Sequence, residues 1–392
     1  MNHIFAGARA PKWVGLALVA SLAACTADAP APAADKATPA ADAAASADTY
    51  SMDDFAKVRK FDSHVHVNED VEAFLQQAQQ DNFEVLSINV DYPDFPSIGL
   101  QHSVALAQAK RDPQHFHWAA TFTMEGFEQP GWEQKVDASL TQAKAEGAKA
   151  VKIWKNVGMI EKDSAGKLIM LDHPRLSPVA DRIQALGLPL IGHQGEPHNC
   201  WLPLEQMSTD NDREYFKNHP EYHMYLHPDQ PSYEDQIAAR DRFVAAHPQL
   251  HFVGAHMGSM EYDVDRIGAF LDRYPNANID LAARMSQVQY QSVRDREKVR
   301  NFFIKYQDRI LYGTDLTLPP GADATEFKQS AHGVWSSDWR YLATAESQRV
   351  DMIKADVPGL ALPREVINKV YFGNAMREFG LQATAASAAP AN

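Results

Sequence analysis

The chain has 392 residues, 45% of them hydrophobic and 22% charged, a globular composition long enough for one large domain or two medium ones. Its formal charge of −14 argues against nucleic acid or an anionic membrane surface as a partner. With only Cys25 and Cys200 present, no disulfide framework can hold the fold.

Arg9 and Lys12 precede an apolar run, Val14 to Ala24, that is too short to span a bilayer, so residues 1–24 read as a signal peptide. Leu22-Ala23-Ala24-Cys25 resembles a bacterial lipobox. That resemblance implies a lipid on Cys25, a membrane anchor without a transmembrane helix and, because Thr26 rather than Asp follows, the outer membrane facing the periplasm. A plain signal peptide cut nearby is the alternative. Residues 25–48 are almost wholly Ala, Pro, Asp, Thr and Ser, cannot bury a core, and predict a flexible tether. A similar tail is expected at 383–392, which leaves 49–382 as the folded part.

The first strand-like run is Phe61-Asp62-Ser63-His64-Val65-His66-Val67, in which alternation puts Asp62, His64 and His66 on one face. Two imidazoles converging there suggest a shared cation; an ordinary pair of core or surface histidines is the competing reading. Further strand runs follow at Phe83 to Val90, Phe116 to Met124, Ala148 to Lys155, Leu188 to Gly195, His251 to Ser259, Asn276 to Ala283 and Arg309 to Leu316. Helical spacing marks Trp132 to Glu146, Pro178 to Leu186, Tyr233 to Ala246, Tyr262 to Tyr274 and Val293 to Tyr306. Eight strands alternating with helices over ~250 residues predict an α/β fold, a single-domain (β/α)8 TIM barrel. A doubly wound sheet fits less well, because no glycine-rich phosphate loop follows the first strand.

Chemistry in such a barrel sits at the C-terminal strand ends. His64 and His66 end the first strand, His193 the fifth, His256 the sixth and Asp315 the eighth. Neutral imidazoles and a carboxylate are ligands for zinc and its neighbours. Singly, each of these could be a packed core histidine or a capping aspartate. Gathered on one rim they predict a metal site.

This HxH, His, His, Asp pattern, with VKIWKNVGM, IGHQGEP, FVGAHMGS, LYGTDL and VYFGNAMREFGL, resembles the amidohydrolase superfamily. The likeness is to its amidohydrolase-related branch, which includes aminocarboxymuconate-semialdehyde decarboxylase, and it covers about residues 60–381. It implies that His64, His66, His193 and Asp315 hold one divalent metal per chain, most often zinc. His256 would stand beside it as an acid/base or electrophile. A cation held this way lowers the pKa of bound water from about 15.7 towards roughly 7. Asp315 could then take that proton and later protonate the leaving group.

Around this centre several roles stay open. Val151 and Ile153 suit the outward face of the fourth strand, which turns Lys152 and Trp154 inward. Lys152 reads as a carboxylated bridge between two metals, a contact to a substrate carboxylate, or a buried lysine paired with an acid; the resemblance favours one metal. Lys155 is expected on the rim. The long connection Glu196 to Pro231, rich in aromatic residues, is a lid or a self-packed loop, and its Trp201 is a candidate substrate contact. Arg284, directly after the seventh strand, would clamp a carboxylate or make a surface salt bridge. Glu196 is a second acid/base or an organiser of its loop, and Cys200 a nucleophile or an incidental thiol.

The leading expectation is a tethered hydrolase that attacks a C–N or C–O bond of a small molecule with metal-activated water. A nonoxidative decarboxylase of an aromatic or unsaturated carboxylate is the alternative. A lipoprotein that binds a ligand without catalysis is the third reading.

Overall fold

Strand runs apolar on both faces need helices on one side and each other's side chains on the other. The computed structural model describes residues 48–382. The signal peptide, Cys25, all of the tether but Asp48, and the tail lie outside these residues. In one sheet run β1 (Lys60–Val67), β2 (Phe83–Ile88), β3 (Phe116–Thr121), β4 (Ala150–Ile153), β5 (Leu190–Gly192), β6 (Phe252–Gly254), β7 (Ala277–Asp280), β8 (Ile310–Leu311) and β9 (Leu316–Leu318). Every pairing in it is parallel.

β8 and β9 are two pieces of the expected eighth strand. β8 pairs with β7 and β9 with β1, while Ser63 N donates to Tyr312 O at 2.9 Å between them. The sheet therefore closes on itself, a TIM-barrel-like domain with the helices outside. Among the described residues no helix is long and apolar enough to cross a membrane.

The helices follow from local signals. In Trp132–Ala145, Trp132, Val136, Leu140 and Ala143 recur at helical spacing and are buried. Tyr233–Ala246 opens with a capping box, in which Ser232 Oγ accepts from Asp235 N and the Asp235 carboxylate accepts from Ser232 N. The helix expected over Val293–Tyr306 is instead two, Met285–Arg294 and Arg296–Lys305. They part at Asp295, whose carboxylate leaves the helical path to accept from Lys298 N as a cap. Beyond the eighth strand lies a helix the sequence pattern did not single out, Ala324–Ala343, followed by a hairpin of β10 (Ser347–Val350) and β11 (Ala355–Pro358).

β1 departs from simple alternation. Its register runs Asp62 opposite Val85 and then Val65 opposite Ser87, three steps against two, so it carries a bulge. The expectation that Asp62 shares a face with His64 and His66 is thereby corrected. Asp62 turns to the outer helix, where Oδ2 accepts from Trp335 Nε1 at 2.9 Å and Thr314 Oγ1 at 2.6 Å. Its Oδ1 accepts from Thr314 N at 3.0 Å and His64 N at 3.2 Å. Trp335 in turn stacks on Phe83 with centroids 4.4 Å apart.

Asp338, one turn along the same helix, accepts from Tyr312 Oη at 2.9 Å. Burial pushes the carboxyls of both Asp62 and Asp338 up to about 7. An acid with a raised folded-state pKa binds its proton more tightly when folded, so its contribution falls as pH climbs from about 4 to about 7. Urea titrations should therefore show Asp338→Asn gaining on the wild type between pH 5 and pH 8, by on the order of 2 kcal/mol. A difference that does not change with pH would mean that Asp338 does not titrate there.

Candidate metal centre

The inward side chains at the ends of β1, β6, β7 and the split eighth strand meet at one point. His66 Nδ1 lies 2.7 Å from Ile88 O. A carbonyl oxygen only accepts, so Nδ1 carries a proton, and in the neutral ring Nε2 presents a lone pair. That lone pair stands 3.1 Å from Asp315 Oδ1. His64 repeats the arrangement, with Nδ1 2.8 Å from Asp280 Oδ2 and Nε2 3.5 Å from Asp315 Oδ1.

Asp280 is not among the residues singled out from the sequence, although an acid closing the seventh strand in Asn278-Ile279-Asp280 was its signal. It orients two elements at once: besides His64, its Oδ1 accepts from His256 N at 2.7 Å and Ala282 N at 3.2 Å. Carboxylate partners of this kind fix the tautomer and direction of a liganding histidine.

His256 and Asp315 adopt left-handed backbone, with φ of 57° and 70°. Such conformations are costly for residues other than glycine and persist where the surroundings enforce them. His256 Nδ1 lies 2.9 Å from Ala282 O, which leaves Nε2 as its acceptor. Its ring centroid is 4.1 Å from that of His193 and 4.8 Å from that of His64. Gly313 lets the eighth strand approach, since a Cβ there would stand 3.1 Å from His64 Cβ.

Burial keeps the His64 imidazole below its ordinary pKa, and those of His193 and His256 well below. They are neutral, the form that binds metals. Burial opposes ionisation of Asp315, but positive charge at its side, as a protonated His66 or a cation between the two groups supplies, holds its carboxyl well below the usual range.

The ligand atoms of His64, His66 and Asp315 lie within 4.8 Å of one another, and so do those of His64, His256 and Asp280. His193 joins neither set, yet its Nε2 is buried without a hydrogen-bond partner. Acceptors aimed at each other repel unless a cation or a proton lies between them. Neutral imidazoles with a carboxylate fit a divalent first-row metal, so the residues present suit one.

Residues 61–381 match the family model described as Amidohydrolase. The chain belongs to the amidohydrolase family. Solved structures similar to it include 2,6-dihydroxybenzoate decarboxylase from Rhizobium, at 15% identity and a TM-score of 0.47, covering 82% of this chain and 98% of that one. Another is 5-carboxyvanillate decarboxylase from Novosphingobium aromaticivorans, complexed with manganese, at 10% identity and a TM-score of 0.48, covering 84% and 97%. Likeness this low transfers no reaction. No curated protein matches the chain.

The rest of this amidohydrolase site surrounds these histidines and Asp315. Lys152 points inward, its Nζ 3.3 Å from His64 Nε2, and burial lowers it to about 8. Lys155, expected on the rim, is buried in an ion pair with Glu196, and against the pull of burial it holds that carboxyl at about 2. On the His66 side stands an aromatic wall of which the sequence singled out only the inward-facing Trp154: ring centroids lie 5.2 Å apart for Phe95 and His66, 5.0 Å for Tyr92 and Phe95, and 4.4 Å for Trp154 and Tyr92.

The connection after β5 packs on itself, with Cys200, Met207 and Phe216 forming a small core of its own. Cys200 is fully buried and burial pushes its thiol well up, which makes it inert. Trp201 leans on Tyr233, centroids 5.4 Å apart, and donates to Pro231 O at 3.4 Å, contacts that tie down the connection itself.

Asp280→Asn should weaken metal affinity by roughly ten- to a hundredfold with the circular dichroism spectrum unchanged. Competition with a chelator measures it, and an unaltered affinity would remove the orienting role.

Proposed function

We propose that this chain is a divalent-metal-dependent hydrolase of a small molecule, cutting a C–N or C–O bond. His64, His66, His193 and Asp315 are the metal residues, and one zinc per chain is the proposed occupant. The observation that supports this most directly is the pair of facing acceptors, His66 Nε2 and Asp315 Oδ1, 3.1 Å apart while His66 Nδ1 is committed to Ile88 O.

A bound divalent cation supplies Lewis acidity, polarising a substrate oxygen and lowering the pKa of water. The chain does the rest. Asp280 and Ile88 O hold the two β1 imidazoles in the tautomer that leaves Nε2 bare. Asp315, ionised at neutral pH, receives the proton of the attacking water and passes it to the leaving group. His256, with its proton fixed on Nδ1 by Ala282 O, offers Nε2 as a second proton acceptor. Lys152 adds positive charge close to where anionic charge develops. In the cell we place the enzyme in the envelope, anchored through lipid on Cys25 to the outer membrane and facing the periplasm. That placement rests on residues 1–47 alone.

The aromatic wall of Phe95, Tyr92 and Trp154 supports a second reading, nonoxidative decarboxylation of an aromatic or unsaturated carboxylate, since flat rings stack on such walls.

The test is metal content by elemental mass spectrometry on protein purified free of chelators, followed by turnover of a substrate panel with carbon dioxide release monitored. About one equivalent of metal, with turnover lost by a factor of roughly 10² to 10⁴ in a soluble Asp315→Asn variant, is the expected result. Carbon dioxide release would select the second reading. A chain that takes up no metal even when it is supplied, or an Asp315→Asn variant of full activity, would end the proposal.

A further inference from the structure

We infer that Arg284 forms an anion-binding subsite in this pocket, one that holds a carboxylate of the substrate beside the metal residues. This rests on the function proposed above and adds the chemical class of the ligand.

Three residues after the end of β7, Ala283 takes a left-handed turn, φ 55°, and its N–H donates to Thr314 O at 3.1 Å. The turn delivers Arg284 to the start of helix Met285–Arg294, an end that has no side-chain cap. Arg284 is only 3% exposed. Its Nη1 donates to the adjacent Ala283 O at 3.0 Å, and its Nε is buried with no partner at all. Among the described residues no carboxylate forms an ion pair with it: Glu196 is taken by Lys155, and Glu261, which feels the charge of Arg284, accepts from His198 N with Oε1 at 2.8 Å and leaves Oε2 buried without a hydrogen bond to any group.

A guanidinium cannot shed its proton, so it cannot escape the penalty of burial by becoming neutral. Burying a cation without a counter-ion is strongly unfavourable. An arriving carboxylate supplies the missing acceptor, and the fork of N–H groups matches its two oxygens. The helix start adds positive potential in the same place.

Position defines the ligand further. The charge of Arg284 is felt at His193, His256, Glu196 and Glu261, all at or just beyond the ends of β5 and β6. The aromatic wall reaches His66 through Phe95. A ligand reaching both has an apolar body and an anionic end.

Calorimetry on the metal-loaded chain tests this with acetate, benzoate, succinate and phthalate, each beside its neutral amide. At least one carboxylate should bind roughly ten- to a hundredfold more tightly than its amide. Arg284→Gln should erase that preference, and Arg284→Lys, which keeps the charge but not the fork, should retain part of it. If no carboxylate binds, or if the preference survives in Arg284→Gln, the subsite is refuted. Metal content read on the same samples keeps the two proposals apart. A wild type without metal that still discriminates carboxylate from amide sinks the metal reading alone, while an Arg284→Gln chain with full metal and no discrimination assigns the subsite.

Discussion

Side chains alternate along a strand, so inserting one residue sends everything beyond it to the opposite face. β1 uses this device. Lys60 and Asp62 face the outer helices before the bulge, and without it His64 and His66 would follow them there. With it, both imidazoles enter the barrel while Asp62 stays outside and grips Trp335, Thr314 and the backbone of His64. The positions of Asp315, Lys152 and His256 matter only because the imidazoles are delivered to them.

The interior that results is full of polar groups, which barrels tolerate poorly unless each has a partner. Here almost every partner belongs to a neighbouring strand. Asp280 serves His64 and the backbone of the β6 end, Ile88 O serves His66, and Ala282 O serves His256. Exceptions among the described residues include His193 Nε2, both side-chain amide atoms of Gln194, Glu261 Oε2 and Arg284 Nε, all buried and unpartnered. Left-handed backbone at His256 and Asp315 lies there too, so unmet hydrogen-bonding capacity and backbone strain coincide.

Much of this was legible in the sequence. All eight strand runs stand in the barrel, because a parallel strand buried on both faces writes itself as an uninterrupted apolar run. A histidine or aspartate at the end of such a run stands out, which is how His64, His66, His193, His256 and Asp315 could be named, although their roles came from the family resemblance. The bulge was not legible, since a reading by twos cannot see an extra residue. Asp280 was hidden because an acid at a strand end looks like a cap until its partner is known. Lys155 read as a rim residue because its counter-ion, Glu196, lies 41 positions away. The break at Asp295 was missed because the apolar spacing carries on across it.

The bonds that complete the site join the two ends of the folded chain. His66 to Asp315 spans 249 positions and Asp62 to Thr314 spans 252. Contacts this distant in sequence carry a loop-closure cost that slows folding. A chain emerging from the ribosome therefore carries its two β1 imidazoles through most of its synthesis with no carboxylate to meet them. The His66–Asp315 pairing comes into being only with the closing seam of the barrel, so a truncated chain that keeps seven strands has His64 and Asp280 and lacks the carboxylate that faces both β1 imidazoles.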